Sequence, residues 1–164
     1  MDDLDIIAAG SGAHHAVAGA RWTWKVRPEQ ADGAFCFFEM TLAPGEGVPA
    51  HRHAYPEAFY VVEGSIQFHG TAGEEARDAC GRGDVVLARA GTGHRFFNPG
   101  PGPARLLSIS TAAHAGFFDA VVKADRKLAF SDLPAPEAFA RVVEIGARTG
   151  TLFAAEQRSD DTPG

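Results

Sequence analysis

The stretch from Gly45 to Asn98 limits what this chain can become more than any other. It holds His51-Arg52-His53, then Glu57, and on a later segment His94. Three imidazoles and one carboxylate form a donor set suited to a divalent transition ion. Their spacing suits β-strands. Side chains alternate faces along an extended chain, so His51, His53, Tyr55 and Glu57 share one parity while the segment stays extended, and Pro56 is where that pairing breaks. His94 has to reach the others from a different strand, which calls for a folded-over or closed sheet, and a barrel supplies one. A lone histidine would read as a satisfied core residue. Four converging donors without a cation would be a liability, because each unpaired buried polar group costs about 1–3 kcal/mol and an unpaired carboxylate several more, against a total stability of about 5–15 kcal/mol.

The blocks carrying these residues have a defined layout. The first reads Gly45, five residues, His51-Arg52-His53, three residues, Glu57, six residues, Gly64. The second reads Gly83, seven residues, Gly91, two residues, His94, three residues, Asn98, and eighteen residues separate the two. This layout resembles the paired motifs of the cupin superfamily. Arg89 stands where the second motif usually has proline, which bears on the local turn and not on the ligand set. Asp32-Gly33-Ala34-Phe35, and Pro103-Ala104-Arg105-Leu106-Leu107 with the Phe-rich segment after it, are similar to bacterial quercetin-dioxygenase-like cupins. The resemblance spans about residues 20 to 125. It implies a mainly β protein with a single jelly-roll (double-stranded β-helix) barrel, and a homodimer, since small cupins commonly pair through their sheets.

Bulk properties agree with one domain over residues 1–164 and a barrel core over about 20–111. A net charge of −6 excludes nucleic acid as the main partner, because phosphate neutralisation needs a basic face. The start, Met1-Asp2-Asp3-Leu4-Asp5, is acidic where a secretory signal would be basic, and no apolar run reaches membrane length. A cytoplasmic protein with no membrane partner is expected. Cys36 reads as a small apolar strand residue and Cys80 as a loop residue, and no disulfide is expected in that compartment.

Along the chain, residues 1–15 read as a solvated lead-in despite His14-His15. Arg21 to Val26 alternates and reads as a half-exposed strand stopped by Pro28. Ala34 to Leu42 is nearly all apolar and predicts a strand covered on both faces. Strands follow at 58–62, 65–69, 84–88, 94–97 and 104–110, with a short edge strand and loops between Thr71 and Arg82. The period then changes. Phe117, Val121, Ala124 and Leu128 predict a helix over about 114–128, and Phe139, Val142, Val143 and Gly146 a second over about 136–149, entered by Pro136 and closed by Gly150. Both are expected to pack outside the barrel or against a partner subunit. No internal repeat is present.

The metal ligands expected are His51, His53, Glu57 and His94. One divalent transition ion per chain is expected. Iron, manganese, nickel, copper and zinc all suit imidazole and carboxylate; the resemblance points to Fe, Mn or Ni, with Zn or Cu as alternatives. Ligating imidazoles must be neutral, so the ion should leave as pH falls below about 6.5. Phe35, Phe37, Phe59, Phe68, Phe96 and Tyr55 are candidates for an apolar substrate pocket. Arg52, between two ligands, should point away from them, Arg89 should be solvated, and Asn98 should fix the turn after His94. Three functions fit the residues. The first is a dioxygenase acting on a small phenolic or enolisable molecule, with Glu57 both ligand and, as the resemblance to quercetin-cleaving cupins implies, catalytic base. The second is a non-oxidative isomerase, lyase or decarboxylase using the ion as a Lewis acid. The third is a small-molecule-binding protein without turnover.

Overall fold

The computed structural model describes residues 4–70 and 79–154. The chain opens with a hairpin, β1 (His14–Val17) and β2 (Ala20–Val26), whose tight turn places Ala18 and Gly19 at positive φ. In β2 the two indoles, Trp22 and Trp24, point inward, as the alternation of that segment predicts. Pro28 then starts a short 3-10 turn that ends at Asp32 in the left-handed region.

In β3 (Cys36–Leu42), Cys36, Phe38, Met40 and Leu42 are buried while Phe37 and Glu39 are half-buried and Thr41 is exposed. The expectation of a strand covered on both faces is therefore corrected. The strand has one inner and one outer face, and its outer face carries Phe37 with Glu39 and Thr41. The chain continues through β4 (Gly47–His53), β5 (Glu57–Glu63), β6 (Ser65–Gly70), a two-residue β7 (Cys80–Gly81), β8 (Val85–Ala88), β9 (His94–Phe97) and β10 (Ala104–Ser110). The Thr71–Arg82 expectation falls partly on residues 71–78, which lie outside the described residues. Cys80 itself sits in β7 rather than in a loop.

Two antiparallel sheets face each other, one in the order β1-β2-β3-β10-β5-β8 and the other β4-β9-β6-β7, with a final strand, β11 (Thr151–Phe153), on the free edge of β4. The core between them is aromatic: the Phe59 ring of the first sheet lies 5.1 Å from both Phe68 and Phe96 of the second. The motif residues hold the corners. Gly64 adopts φ 75° at the β5–β6 turn, and a Cβ there would sit 2.8 Å from Ala104, so only glycine fits. Asn98, fully buried, donates through Nδ2 to Leu42 O (3.0 Å) and Gly102 O (2.8 Å) and accepts from Gly100 N–H (2.8 Å). It thus fixes the turn after His94, as expected. The turn at Arg89 forms without proline: Thr92 N–H donates to Arg89 O (2.9 Å) and Gly91 N–H to His53 O (2.8 Å).

Two helices follow, α1 (Ala112–Asp125) and α2 (Ala135–Thr149). Helix α1 ends earlier than the apolar spacing predicts. Asp125 turns back to accept Phe130 N–H (2.9 Å), and Leu128 lies beyond the helix, 42% exposed. In α2, Pro136 sits in the first turn and Gly150 closes the helix in the left-handed conformation. Gly146 lets the returning chain cross the helix, because a Cβ there would lie 2.4 Å from Thr151 O. The strand β11 that follows, like β1, was not legible as a strand from residue types. None of the described helices is long and apolar enough to cross a membrane. Residues 155–164, most of the polar tail, lie outside the described residues.

The helices do not simply lie on the barrel's outside, as expected. They wall a cavity with it. His114, Phe117, Phe118 and Val121 of α1 and Phe139 and Val142 of α2 face barrel residues across the same space.

Candidate metal centre

His51 and His53 project from β4 to one side, as alternation requires, and Arg52 between them is exposed. His94 opens β9, directly opposite His51 in the ladder. Lateral pairing within one sheet therefore brings the third histidine in. The carboxylate is what comes from across the barrel. Glu57 is the first residue of β5, in the other sheet, and Ala54-Tyr55-Pro56 carry the chain between the sheets. The shared parity read through Tyr55 and Glu57 is thus corrected: a change of sheet, not continuous extension, aims Glu57 at the histidines.

One ligand atom from each of His51, His53, Glu57 and His94 lies within 4.8 Å of the others, and all four residues are buried. Each histidine uses Nδ1 on a backbone carbonyl two residues away: His51 on Pro49 O (2.9 Å), His53 on Tyr55 O (2.7 Å) and His94 on Thr92 O (3.0 Å). Those contacts place the ring proton on Nδ1 and turn the Nε2 lone pair into the cluster. There the donors are missing. Glu57 Oε2 lies 3.0 Å from His53 Nε2 and 3.5 Å from His94 Nε2, and the latter atom is sealed without a hydrogen-bond partner. With neutral rings these are acceptors facing an acceptor. A divalent cation satisfies every one of them at once, so the residues fit a metal.

The other carboxylate oxygen, Glu57 Oε1, accepts from the Ser108 hydroxyl of β10 and has His114 Nδ1 3.7 Å away. Glu57 is 3% exposed. Burial alone would raise its pKa, but His114, His53, His94 and Ser108 together hold the carboxyl well below its usual range. Burial pushes the His51 imidazole down to about 4, reinforced by His94. At His94 burial acts downward too, but Glu57 and the Thr92 carbonyl outweigh it and the net shift is upward. Tyr55 backs the cluster: its ring stacks on His53 at 4.2 Å and 6°, and its hydroxyl is 3.2 Å from Thr151 Oγ1.

His51 and Glu57 form part of the wall of a cavity of about 370 Å³. The rest of the wall is mainly apolar, with Trp22, Phe38, Met40, Phe96, Phe117, Phe118, Phe139 and Phe153; its other polar side chains are Glu46, His114 and Thr151. Among the described residues, no lysine or arginine lines it. Of the aromatic positions expected in a pocket, Phe96 is in this wall. Tyr55 stands behind His53, and Phe59 and Phe68 pack in the core with Phe96. Phe35 and Phe37 are corrected. They stack on each other on the outer side of β3, with Phe35 43% exposed, because the inward parity of that strand is the even one. Arg89 is exposed, as expected.

Sequence reasoning missed His114 and Ser108. Ser108 alternates with Leu106 and Ser110 on the inner face of β10, a signal available in principle. His114 lies three residues before Phe117 and seven before Val121, on the apolar stripe of α1. A histidine on such a stripe carries no mark of what it will face.

Residues 38–110, which include both motif blocks, match the family model for the cupin domain. No curated protein matches the chain. Among solved structures, the polyketide cyclase RemF from Streptomyces resistomycificus is 18% identical, with 66% of this chain and 80% of that chain covered and a TM-score of 0.59. A "predicted oxalate decarboxylase" from Thermotoga maritima is 21% identical over 65% of this chain and 98% of that one, with a TM-score of 0.57. The Cnp3 cupin domain from Schizosaccharomyces pombe is 14% identical over 63% and 71%, with a TM-score of 0.54. At these identities the likeness is one of fold. The fold is the cupin jelly roll, and residues 38–110 of it carry the match to the cupin domain.

Proposed function

We propose that this cupin-fold protein is a metal-dependent enzyme that acts on a small phenolic or enolisable molecule with dioxygen as co-substrate. One observation carries the reading: a buried three-histidine, one-carboxylate cluster opens, through His51 and Glu57, onto a mainly apolar cavity that no lysine or arginine lines among the described residues. When bound by His51, His53, Glu57 and His94, a divalent ion would supply a Lewis acid able to take a substrate oxygen and dioxygen. The chain's own residues do the rest. Glu57 lines the cavity beside His51, where its carboxylate can take the proton of an incoming hydroxyl. Ser108 holds Oε1 and so fixes the carboxylate's orientation. The phenylalanine wall keeps bulk water from a reactive substrate and favours an apolar one. The missing lysine and arginine argue against a dianionic substrate, whose second charge would be buried unpaired.

The test is oxygen uptake by protein loaded separately with Fe(II), Mn(II) and Ni(II), across a panel of flavonols and β-diketones. Uptake that Glu57→Gln abolishes is the expected result. Turnover that persists under strict anaerobiosis, or with Zn(II), would replace the oxidative reading with the Lewis-acid one, an isomerase, lyase or decarboxylase. That second reading is favoured by the fold's occurrence in proteins named as a cyclase and a predicted decarboxylase. Ligand binding with no product under any condition would leave a binding protein.

A further inference from the structure

His114 has no place in the cluster of four, yet it lies beside it. It comes from the first turn of α1, is 5% exposed, and lines the cavity together with His51 and Glu57. Its ring packs among Tyr55 (5.3 Å), Phe118 (5.0 Å) and Phe38 (5.6 Å). No side chain or carbonyl among the described residues hydrogen-bonds to it: Nδ1 is sealed without a partner, 3.7 Å from Glu57 Oε1. An unpartnered polar atom in the interior costs about 1–3 kcal/mol, so an apolar residue would serve packing better here. Nε2, in contrast, is not among the sealed, unpartnered atoms.

With a carboxylate oxygen on its Nδ1 side, the neutral ring keeps its proton on Nδ1, and Nε2 is left as a lone-pair acceptor. We propose that His114 is a specificity-determining residue that accepts a hydrogen bond from a second hydroxyl of the substrate, adjacent to the oxygen held at the metal centre. The His53 and His114 rings lie 5.5 Å apart, which brings both anchors within the reach of neighbouring oxygens on one ring or one enediol. The cavity would then select a largely apolar molecule with two adjacent oxygens, one of them a hydroxyl donor. This rests on the metal-centre reading above.

The test uses zinc-loaded protein, so that no redox turnover intervenes, and two probes, naphthalene-2,3-diol and its monomethyl ether 3-methoxy-2-naphthol. The ether keeps the bulk and both oxygens but loses the second donor. Calorimetric titration should show wild type preferring the diol by about tenfold, the worth of one buried hydrogen bond. His114→Phe and, as a smaller replacement, His114→Asn should both reduce that preference to about twofold or less, with zinc affinity and the Co(II)-substituted absorption spectrum unchanged. A preference that survives both variants would overturn the proposal, as would a wild type without one, because metal chelation alone would then explain diol binding. Loss of zinc in either variant would also overturn it, making His114 a support of Glu57. Failure of wild type to bind zinc at all would instead sink the metal-centre reading on which this rests.

Discussion

Replacing Glu57 by glutamine keeps the shape of the side chain and removes its charge. The structure gives this change opposite signs in two states. Without metal, and with the imidazoles in their neutral form at alkaline pH, Glu57 is an interior carboxylate facing the lone pairs of His53 and His94 at 3.0 and 3.5 Å. Such a charge costs several kcal/mol, and the Ser108 hydroxyl that donates to it returns about 1.5–3 kcal/mol. The net liability is about 2 kcal/mol, so Glu57→Gln should raise the melting temperature of the metal-free protein by about 4–8 °C for a chain of this size. With metal the charge becomes an asset. Since even outer partners of ligands account for about 10–100-fold in affinity, loss of the charged ligand itself should weaken binding by more than about 100-fold. Thermal melts with chelator and with one equivalent of Zn(II), paired with metal titration, read both effects. A Glu57→Gln protein that melts lower without metal and binds the ion as before would refute the reasoning and make Glu57 a structural hydrogen-bond acceptor.

Three further outcomes are expected. Acidification should destabilise the metal-free protein: with His51 held down at about 4, the unfolded chain takes up a proton between about pH 6.5 and 4 that the folded ring refuses, a loss of about 3 kcal/mol. His94, shifted upward, contributes stability that is already complete below about pH 6.5 and so does not offset this loss, and melts between about pH 6.5 and 4 would contradict the account if the midpoint stayed flat or rose. Ser108→Ala should lower metal affinity by about 10–100-fold by freeing Glu57 Oε1, and unchanged affinity in a metal titration would show that the hydroxyl orients nothing. Gly64→Ala forces a Cβ to 2.8 Å from Ala104 at φ 75°, so denaturant titration should find it destabilised by about 2 kcal/mol or more, whereas a neutral result would mean that the β5–β6 corner relaxes freely.

The ligand set was legible because its signal is dense: alternating histidines, a carboxylate past a proline, and turn glycines at fixed distances. Asn98 was legible for the same reason, since an asparagine next to proline and glycine has a short list of uses. What failed was the facing of strands that lack alternation. Ala34 to Phe38 is apolar at almost every position, so neither parity is marked, and Phe35 and Phe37 fall on the outer face while Phe38 alone reaches the cavity. The route of Glu57 was hidden because parity holds only within one strand, and the chain changes sheets at Pro56. His114, Phe139 and Phe153 were hidden for another reason. Their place in the wall depends on how α1, α2 and β11 dock on the barrel, which is decided by packing over long sequence separations and leaves no local periodic trace.

The most direct test is elemental analysis of purified protein after loading and desalting, alongside His94→Ala. The account predicts one divalent transition ion per chain in the wild type and its loss in the variant, because His94 Nε2 has no hydrogen-bond partner among the described residues and is free to ligate. A wild type that retains no transition ion, or a His94→Ala protein that holds its ion as tightly, would contradict it.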